Sequence, residues 1–354
     1  MPGTPASAVK TARTQCALRM PPMRAVVMKR AMANERSDAR CGQAATRRTY
    51  ARPTTHTAMP RVAFLGLGAI GAPMARHLAR RFDTAVWNRT ASKAHAFASA
   101  HHGATHVRTP ADAARTRDIV FTCLPTSHEV EALLDGESGL LAGLAKGAMV
   151  IDCTSGDPVT SRRIAMRLAE HGVDFLDAPV SGGIVGAEQG QLTVMVGGDS
   201  GALERARPVL DAFSKTIIHC GGVGTAHATK AVNQALLAIN IWAAAEGLVS
   251  LAKAGVDARV ALDVINASSG RSNVTMNLFP ERVLTRAFPR TFKLALLDKD
   301  VGIAAEIARE QKVASPLIQL TAELFRAAHG ALGEDADHVE AVKVVEQWAG
   351  AQIV

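Results

Sequence analysis

The chain is poor in the residues that build covalent or metal frameworks. Its 354 residues include five cysteines, Cys16, Cys41, Cys123, Cys153 and Cys220. They show neither the close pairs of a zinc site nor the spacing of a disulfide framework. Cys123 and Cys153 fall in apolar, strand-like segments, where a thiol behaves as a small hydrophobe, and this fits a reducing compartment, the cytoplasm. His101, His102, His106, His219 and His227 make no metal-ligand pattern and read as surface or loop residues, so no metal is expected. No Ser/His/Asp nucleophile set stands out. There is no internal repeat and no long linker. The longest apolar stretch, around residues 230–252, is interrupted by Asn233, Asn240 and Glu246; it reads as a buried core helix and not a membrane span.

Net charge is +8, but its distribution removes its meaning. Residues 1–59 hold eleven Lys/Arg against Glu35 and Asp38, which leaves 29 basic and 30 acidic residues for the rest of the chain. The globular part is nearly neutral, and charge gives no argument for a nucleic-acid partner. Residues 1–59 also lack hydrophobic periodicity and the apolar core of a secretory signal. They read as a disordered basic extension outside the fold. Met59-Pro60-Arg61 directly precedes the first apolar run, so the working chain is expected to start at Met59. A mitochondrial address and a nucleic-acid-binding arm are the alternatives.

What is present is a strand–helix alternation. Arg61–Leu65, Thr84–Trp87, Ile119–Leu124, Ala148–Asp152, Val173–Asp177 and Leu192–Val196 are short buried runs. Helical stretches such as 72–81 and 92–100 separate them, which predicts an α/β fold with a doubly wound, parallel, Rossmann-type sheet. After Cys220-Gly-Gly-Val-Gly224 the pattern becomes almost purely helical. One long helix is expected from Thr225 to Ala254, stopping at Gly255, then others near 257–267, 274–286, 296–312, 314–329 and 336–350. The domains expected are 60–221, binding a dinucleotide, and an all-helical 222–354, with a cleft between them.

Gly66-Leu67-Gly68-Ala69-Ile70-Gly71 ends the first strand and opens a helix. Such glycines permit a tight turn, close approach of backbone to a pyrophosphate and close helix–strand packing, while the helix start offers free N–H groups to phosphate. The second strand ends in Asn88-Arg89-Thr90, where a carboxylate would bond the ribose of NAD. A neutral amide, a guanidinium and a hydroxyl there favour NADP over NAD; the bland alternative is that Arg89 is a solvated loop residue. Leu124-Pro125 and Ser155 end two further strands on the same sheet edge, where turn chemistry alone also accounts for them.

Three groups remain for chemistry. Ser181, Gly182 and Gly183 offer a hydroxyl and accessible N–H groups, a nest sized for a carboxylate, or a tight loop needing positive φ. Lys230 and Asn233 share one helix face at i and i+3. Lys230 could move a proton as hydride is transferred, its pKa lowered by burial; alone, it reads as a snorkelling lysine at a helix start. Lys299-Asp300 is either a cofactor-directed lysine with its orienting carboxylate or a surface ion pair.

Together these segments resemble the β-hydroxyacid dehydrogenase family, whose members include 3-hydroxyisobutyrate dehydrogenase and tartronate semialdehyde reductase. The resemblance runs from Arg61 to the C-terminus. It rests on Gly66–Met74, on Asp177-Ala-Pro-Val-Ser-Gly-Gly183 followed by Gly186-Ala-Glu188, on Lys230-Ala-Val-Asn233 and on Lys299-Asp300. It implies Lys230 as catalytic acid/base, and Ser181, Gly182, Gly183 and Asn233 as contacts for a small carboxylate substrate. It implies Leu124, Pro125, Ser155 and Lys299 beside the cofactor, Phe292 near the nicotinamide, an all-helical second domain and a homodimer or homotetramer. From the charge and the interrupted apolar run, neither a membrane nor a nucleic-acid partner is expected. Two departures stand out. The usual Ser-Thr after the strand-ending Asp152 is Thr154-Ser155, and the 268–276 loop lacks an aromatic often found there, which leaves the particular acid open. Imine reductases share the fold but typically lack the lysine, and non-catalytic relatives replace it.

Overall fold

The strands form where the apolar runs are continuous, because a strand covered on both faces has no polar side. In the computed structural model the described residues are 59–353, so the reading of residues 1–58 lies outside them. The strands are β1 (Val62–Leu65), β2 (Thr84–Trp87), β3 (Ala104–His106), β4 (Ile119–Thr122), β5 (Met149–Asp152), β6 (Asp174–Asp177), β7 (Val180–Ser181), β8 (Leu192–Gly197) and β9 (Ser214–Gly221). Every residue of β1, β4 and β5 is buried. Phe64 and Phe121 stack across neighbouring strands with centroids 5.8 Å apart. Burying side chains of this size stabilises by about 1.5–3 kcal/mol each.

Six strands run parallel in the order β3-β2-β1-β4-β5-β6. Strand order reverses at β1, so the crevice beyond its C-terminal end is the switch point where such sheets bind ligands. The expected sheet was parallel throughout; here β8 joins β6 antiparallel, through Asp177 opposite Gly197. It pairs β7 antiparallel and β9 parallel. The reversal follows β7, where Gly182 and Gly183 take φ of +132° and +64°, conformations that a side chain disfavours.

The helices of the sheet half are α1 (Gly71–Ala79), α2 (Ala91–Ala100), α3 (Pro110–Ala114), α4 (Ser127–Ala132), α5 (Pro158–Glu170), α6 (Gly183–Gln189) and α7 (Ser200–Leu210). The remainder contains α8 (Thr225–Lys253), α9 (Ala258–Asn266), α10 (Leu294–Glu310), α11 (Pro316–Leu332) and α12 (Val342–Ala349). The expected helix at 274–286 is a wide-wound segment, Val274–Val283, with an i→i+5 bond from the Leu284 N–H to the Phe279 carbonyl at 3.0 Å. Pro280 lies inside it and supplies no N–H.

α8 is long and apolar enough, by length and composition, to cross a membrane. In this fold it packs against α10, α11 and α12 and against β8 and β9. The face turned to these elements is buried, while Thr229, Asn233, Leu236, Asn240, Glu246 and Ser250 lie along an exposed side. Its start has no side-chain cap of its own at Gly224. Asp177, at the end of β6 and fully buried, takes that role: its carboxylate accepts the Gly224 N–H at 2.8 Å and the His227 N–H at 2.9 Å. The negative group also suits the positive end of the helix dipole. Gly197 leaves room for it, since a Cβ there would lie 2.4 Å from Asp177 Oδ1.

Candidate active site

At the sheet edge the backbone makes the site. A Cβ on Gly66 would lie 2.2 Å from the Cys123 carbonyl oxygen, and one on Gly71 would lie 2.0 Å from the Gly66 carbonyl oxygen. These two glycines let the turn close tightly between β1, the end of β4 and α1. Gly68 is exposed, and a Cβ there would meet nothing within 4 Å. Among the described residues, the N–H groups of Gly68, Ala69, Ile70 and Gly71 have no protein acceptor, and Ile70 gives no side-chain cap. Free N–H groups at a helix start fit a pyrophosphate, so this turn suits the dinucleotide that the spacing implies.

Asn88 braces the turn. Its Oδ1 accepts the Leu67 N–H at 3.0 Å, and its Nδ2 donates to the Thr90 carbonyl at 3.2 Å. Arg89 and Thr90 stay outward, and the Arg89 side chain is 85% exposed, 3.8 Å from Glu129 Oε1. Glu129 already closes a capping box on α4 with Thr126, so it holds the exposed guanidinium only loosely.

Two neighbouring strand ends are laced together. Thr122 Oγ1 donates to Asp152 Oδ1 at 2.8 Å, the Thr154 N–H donates to the same oxygen at 3.1 Å, and the Leu124 N–H donates to Thr154 Oγ1 at 3.1 Å. Thr154 thus does the bonding, while Ser155 contributes its carbonyl. Pro125 is exposed beside it. Burial pushes the Cys123 thiol up to about 12 and raises that of Cys153, with Asp152 adding to both, so neither is a ready nucleophile.

The helical half contributes side chains. Lys230, in the second turn of α8, is 8% exposed. Among the described residues its amine makes no hydrogen bond or ion pair. Burial pushes its pKa down; Asp300 pulls it back up, and the Lys299 cation lowers it again. Lys299 donates to the Ser155 carbonyl and pairs with Asp300 Oδ1 at 2.9 Å. The Asp300 side chain is only 3% exposed, so this is an interior contact and not a surface pair. Lys299 ties α10 to the cofactor edge, where a groove of about 330 Å³ opens between α5 and α10.

Asn233 is exposed, one turn from Lys230, and donates to Gln234 Oε1 at 3.3 Å. Gln234 is the buried amide on this face, donating to Asp300 Oδ2 at 3.3 Å. It was missed because a glutamine in an alanine-rich run carries no pattern. The structure therefore brings together Lys230, Gln234, Lys299, Asp300 and Ser155. Ser181, Gly182 and Gly183 form their own turn, with Gly182 and Gly183 exposed and their N–H groups free of protein acceptors among the described residues. Phe292 is fixed by its N–H to Asp337 Oδ2 at 3.0 Å and by its ring against His338 at 5.4 Å.

The expectation of surface or loop histidines fails at His227. His227 is fully buried, because α8 turns it into the joint between α5 and β5. His219 is exposed, with the Gly198 carbonyl 2.9 Å from its ring, and half-buried His101, in the loop after α2, stacks on Phe97. Among the described residues no cluster could hold a metal.

Comparison with known proteins agrees with this geometry. Residues 61–222 match the NAD binding domain of 6-phosphogluconate dehydrogenase, and residues 224–345 match the NAD-binding family of NADP-dependent 3-hydroxyisobutyrate dehydrogenase. The chain is 35% identical over 294 residues to 2-(hydroxymethyl)glutarate dehydrogenase of Eubacterium barkeri, covering 83% of this chain and 97% of that one. It is 33% identical to 2-hydroxy-3-oxopropionate reductase of Escherichia coli (strain K12), covering 83% and 99%. The solved structure of Mycobacterium tuberculosis 3-hydroxyisobutyrate dehydrogenase with L-serine matches with a TM-score of 0.75 at 31% identity, over 81% of this chain and 99% of that one.

Proposed function

Because the chain belongs to the β-hydroxyacid dehydrogenase family, as an NAD(P)-dependent dehydrogenase of 3-hydroxyacids, we propose that it uses NADP(H) to interconvert a small β-hydroxyacid and its semialdehyde, with Lys230 as general acid/base. The observation that carries this is the Lys230 amine, buried, without a bonded counter-ion, and with its pKa lowered. General acid–base catalysis works best when the group's pKa lies near the operating pH. The nicotinamide supplies or accepts the hydride at the carbonyl carbon. Lys230 gives a proton to the carbonyl oxygen in reduction and takes it from the hydroxyl in oxidation. Ser181 and the N–H groups of Gly182 and Gly183 hold the substrate carboxylate, with Asn233 as a further contact. Leu124, Pro125, Ser155, Phe292 and Lys299 line the cofactor.

NADP is the preferred cofactor because Arg89 and Thr90 meet the 2′-phosphate while Asn88, bound to the glycine turn, puts no carboxylate there. The protein works in the cytoplasm as a homodimer or homotetramer, with neither nucleic acid nor membrane as partner. 3-Hydroxyisobutyrate is the first substrate to try, then tartronate and succinate semialdehydes. NADPH oxidation measured across small semialdehydes and 2-oxo-acids, with cyclic imines as controls, tests this reading. Turnover confined to semialdehydes supports it; turnover of imines alone would overturn it.

A further inference from the structure

His227 makes a contact that sequence gives no hint of. Its ring is fully buried where the first turn of α8 meets α5 and the end of β5. The space is cut for it: a Cβ on Gly156 would lie 2.8 Å from the ring's Cε1. Nδ1 lies 2.6 Å from Ser161 Oγ, which is 2.8 Å from the Asp157 carbonyl oxygen. That side of the ring is satisfied. Nε2 is not: it has no partner, and it faces Asp152 Oδ2, also buried and partnerless, across 4.0 Å.

Two features of this pair matter. A bare lone pair on Nε2 would oppose a carboxylate oxygen in a buried site, so the neutral ring carries its hydrogen on Nε2. The single Ser161 hydroxyl proton then turns to Nδ1, and the Asp157 carbonyl keeps the Ser161 N–H at 3.1 Å. At 4.0 Å the hydrogen bond is not made, since such bonds form at 2.7–3.2 Å. A shift of about 1 Å would complete it. Each end is tied to groups that the proposed reaction uses. Asp152 is wired through Oδ1 to Thr122 and Thr154, hence to the Leu124 and Ser155 turns at the cofactor edge. His227 stands three residues before Lys230 on the same rigid helix, with its own N–H held by Asp177. The charged groups facing this joint are Asp152 from β5, Asp157 from α5 and Asp177 from β6, with Lys230 on α8 itself.

We propose that His227 is a positioning residue for Lys230: an Nε2–H to Asp152 Oδ2 bond, completed when cofactor draws the two strand-end turns into place, sets how near the start of α8 brings the amine to the reacting carbonyl. This rests on the reading of Lys230 as the acid/base, and the role is indirect, since His227 touches neither substrate nor cofactor.

The test uses the full chain with His227→Leu, which fills the space without a donor, and His227→Gln, which restores an N–H. Tight placement of a reacting group is worth on the order of 10- to 100-fold in rate. His227→Leu should lose that much kcat, with KM near wild type and NADPH affinity weakened by no more than about tenfold, the worth of one hydrogen bond completed on cofactor binding, and His227→Gln should regain most of both. An arm that needs no turnover reads the amine directly: labelling of Lys230 by trinitrobenzenesulfonate across pH, with and without NADP+, followed by peptide mass spectrometry. The wild type should show a cofactor-dependent change in labelling that His227→Leu loses and His227→Gln keeps. If His227→Leu does not fold, Asp152→Asn removes the charge from the other side and should lose the same response. A His227→Leu protein that melts lower but keeps both kcat and the labelling response would overturn the proposal. If the wild type turns over no semialdehyde, the assigned reaction fails, while the labelling arm still decides whether His227 places Lys230.

Discussion

The two halves of the molecule build their parts of the site from different material. At the end of β1 the recognition elements are backbone: N–H groups at residues 68–71 without acceptors among the described residues, and glycines that cannot carry a Cβ without striking Cys123 or Gly66. On α8 and α10 they are side chains in an apolar setting, with Lys230 unpaired and Gln234, Lys299 and Asp300 arranged around it. A backbone site is specified by what is left out, so glycine spacing announces it. A side-chain site depends on which way a helix faces, and that is decided by packing.

Experiments can press on this contrast from both sides. The largest effect is expected at the side-chain pole. Lys230→Ala should keep NADPH binding, measured by fluorescence titration, and lose at least about a hundredfold in kcat, the low end for acid–base catalysis. Near-normal turnover would take Lys230 out of the reaction. At the backbone pole the specificity device is the exposed Arg89. Arg89→Asp should move the NADPH-to-NADH ratio of kcat/KM about tenfold or more toward NADH, since a charge-assisted bond of roughly 1.5–3 kcal/mol gives way to repulsion. An unchanged ratio would mean that the guanidinium misses the phosphate.

The joint between the halves can be probed through stability. Asp177→Ala orphans the buried Gly224 and His227 N–H groups and should cost about 1–3 kcal/mol for each donor left unpaired, read by denaturant unfolding. An unchanged midpoint would show that α8 starts without this cap. The mildest change is expected from Lys299→Met. Removing that cation lifts the pKa of Lys230, because Lys299 holds it down. The alkaline limb of the reduction profile, where Lys230 must be protonated, and the acid limb of the oxidation profile, where it must be neutral, should both move to higher pH. Movement to lower pH would contradict the electrostatics.

The sheet was the most legible part. The runs behind β1, β2, β4, β5, β6 and β8 are apolar because both faces are covered, and each falls within a few residues of its expected place. β3 and β9 escaped notice because they are short or largely exposed and lack a continuous apolar run. β7 is only two residues long. In the site, the glycine turn could be read from spacing, whereas Lys299-Asp300 reads equally as a surface ion pair until packing buries Asp300. Gln234 and His227 could not be read. Both lie in an alanine-rich helix whose apolar residues fall on every side, so no stripe marks which polar residue points inward, and each could equally have met water. The capping box Thr126–Glu129 carried a readable spacing, but nothing in it said that Glu129 would stand near Arg89.

The buried face of α8 also limits how the chain can be divided. Much of that face is covered by α10, α11 and α12, all of which are synthesised later. A fragment ending at Lys253 would hold a long greasy rod with most of its wrapping missing and would be prone to self-association. A soluble nucleotide-binding piece would have to be cut ahead of Gly224. Because Asp177 spends both carboxylate oxygens on residues beyond that cut, such a piece would carry a buried anion with nothing left to hold.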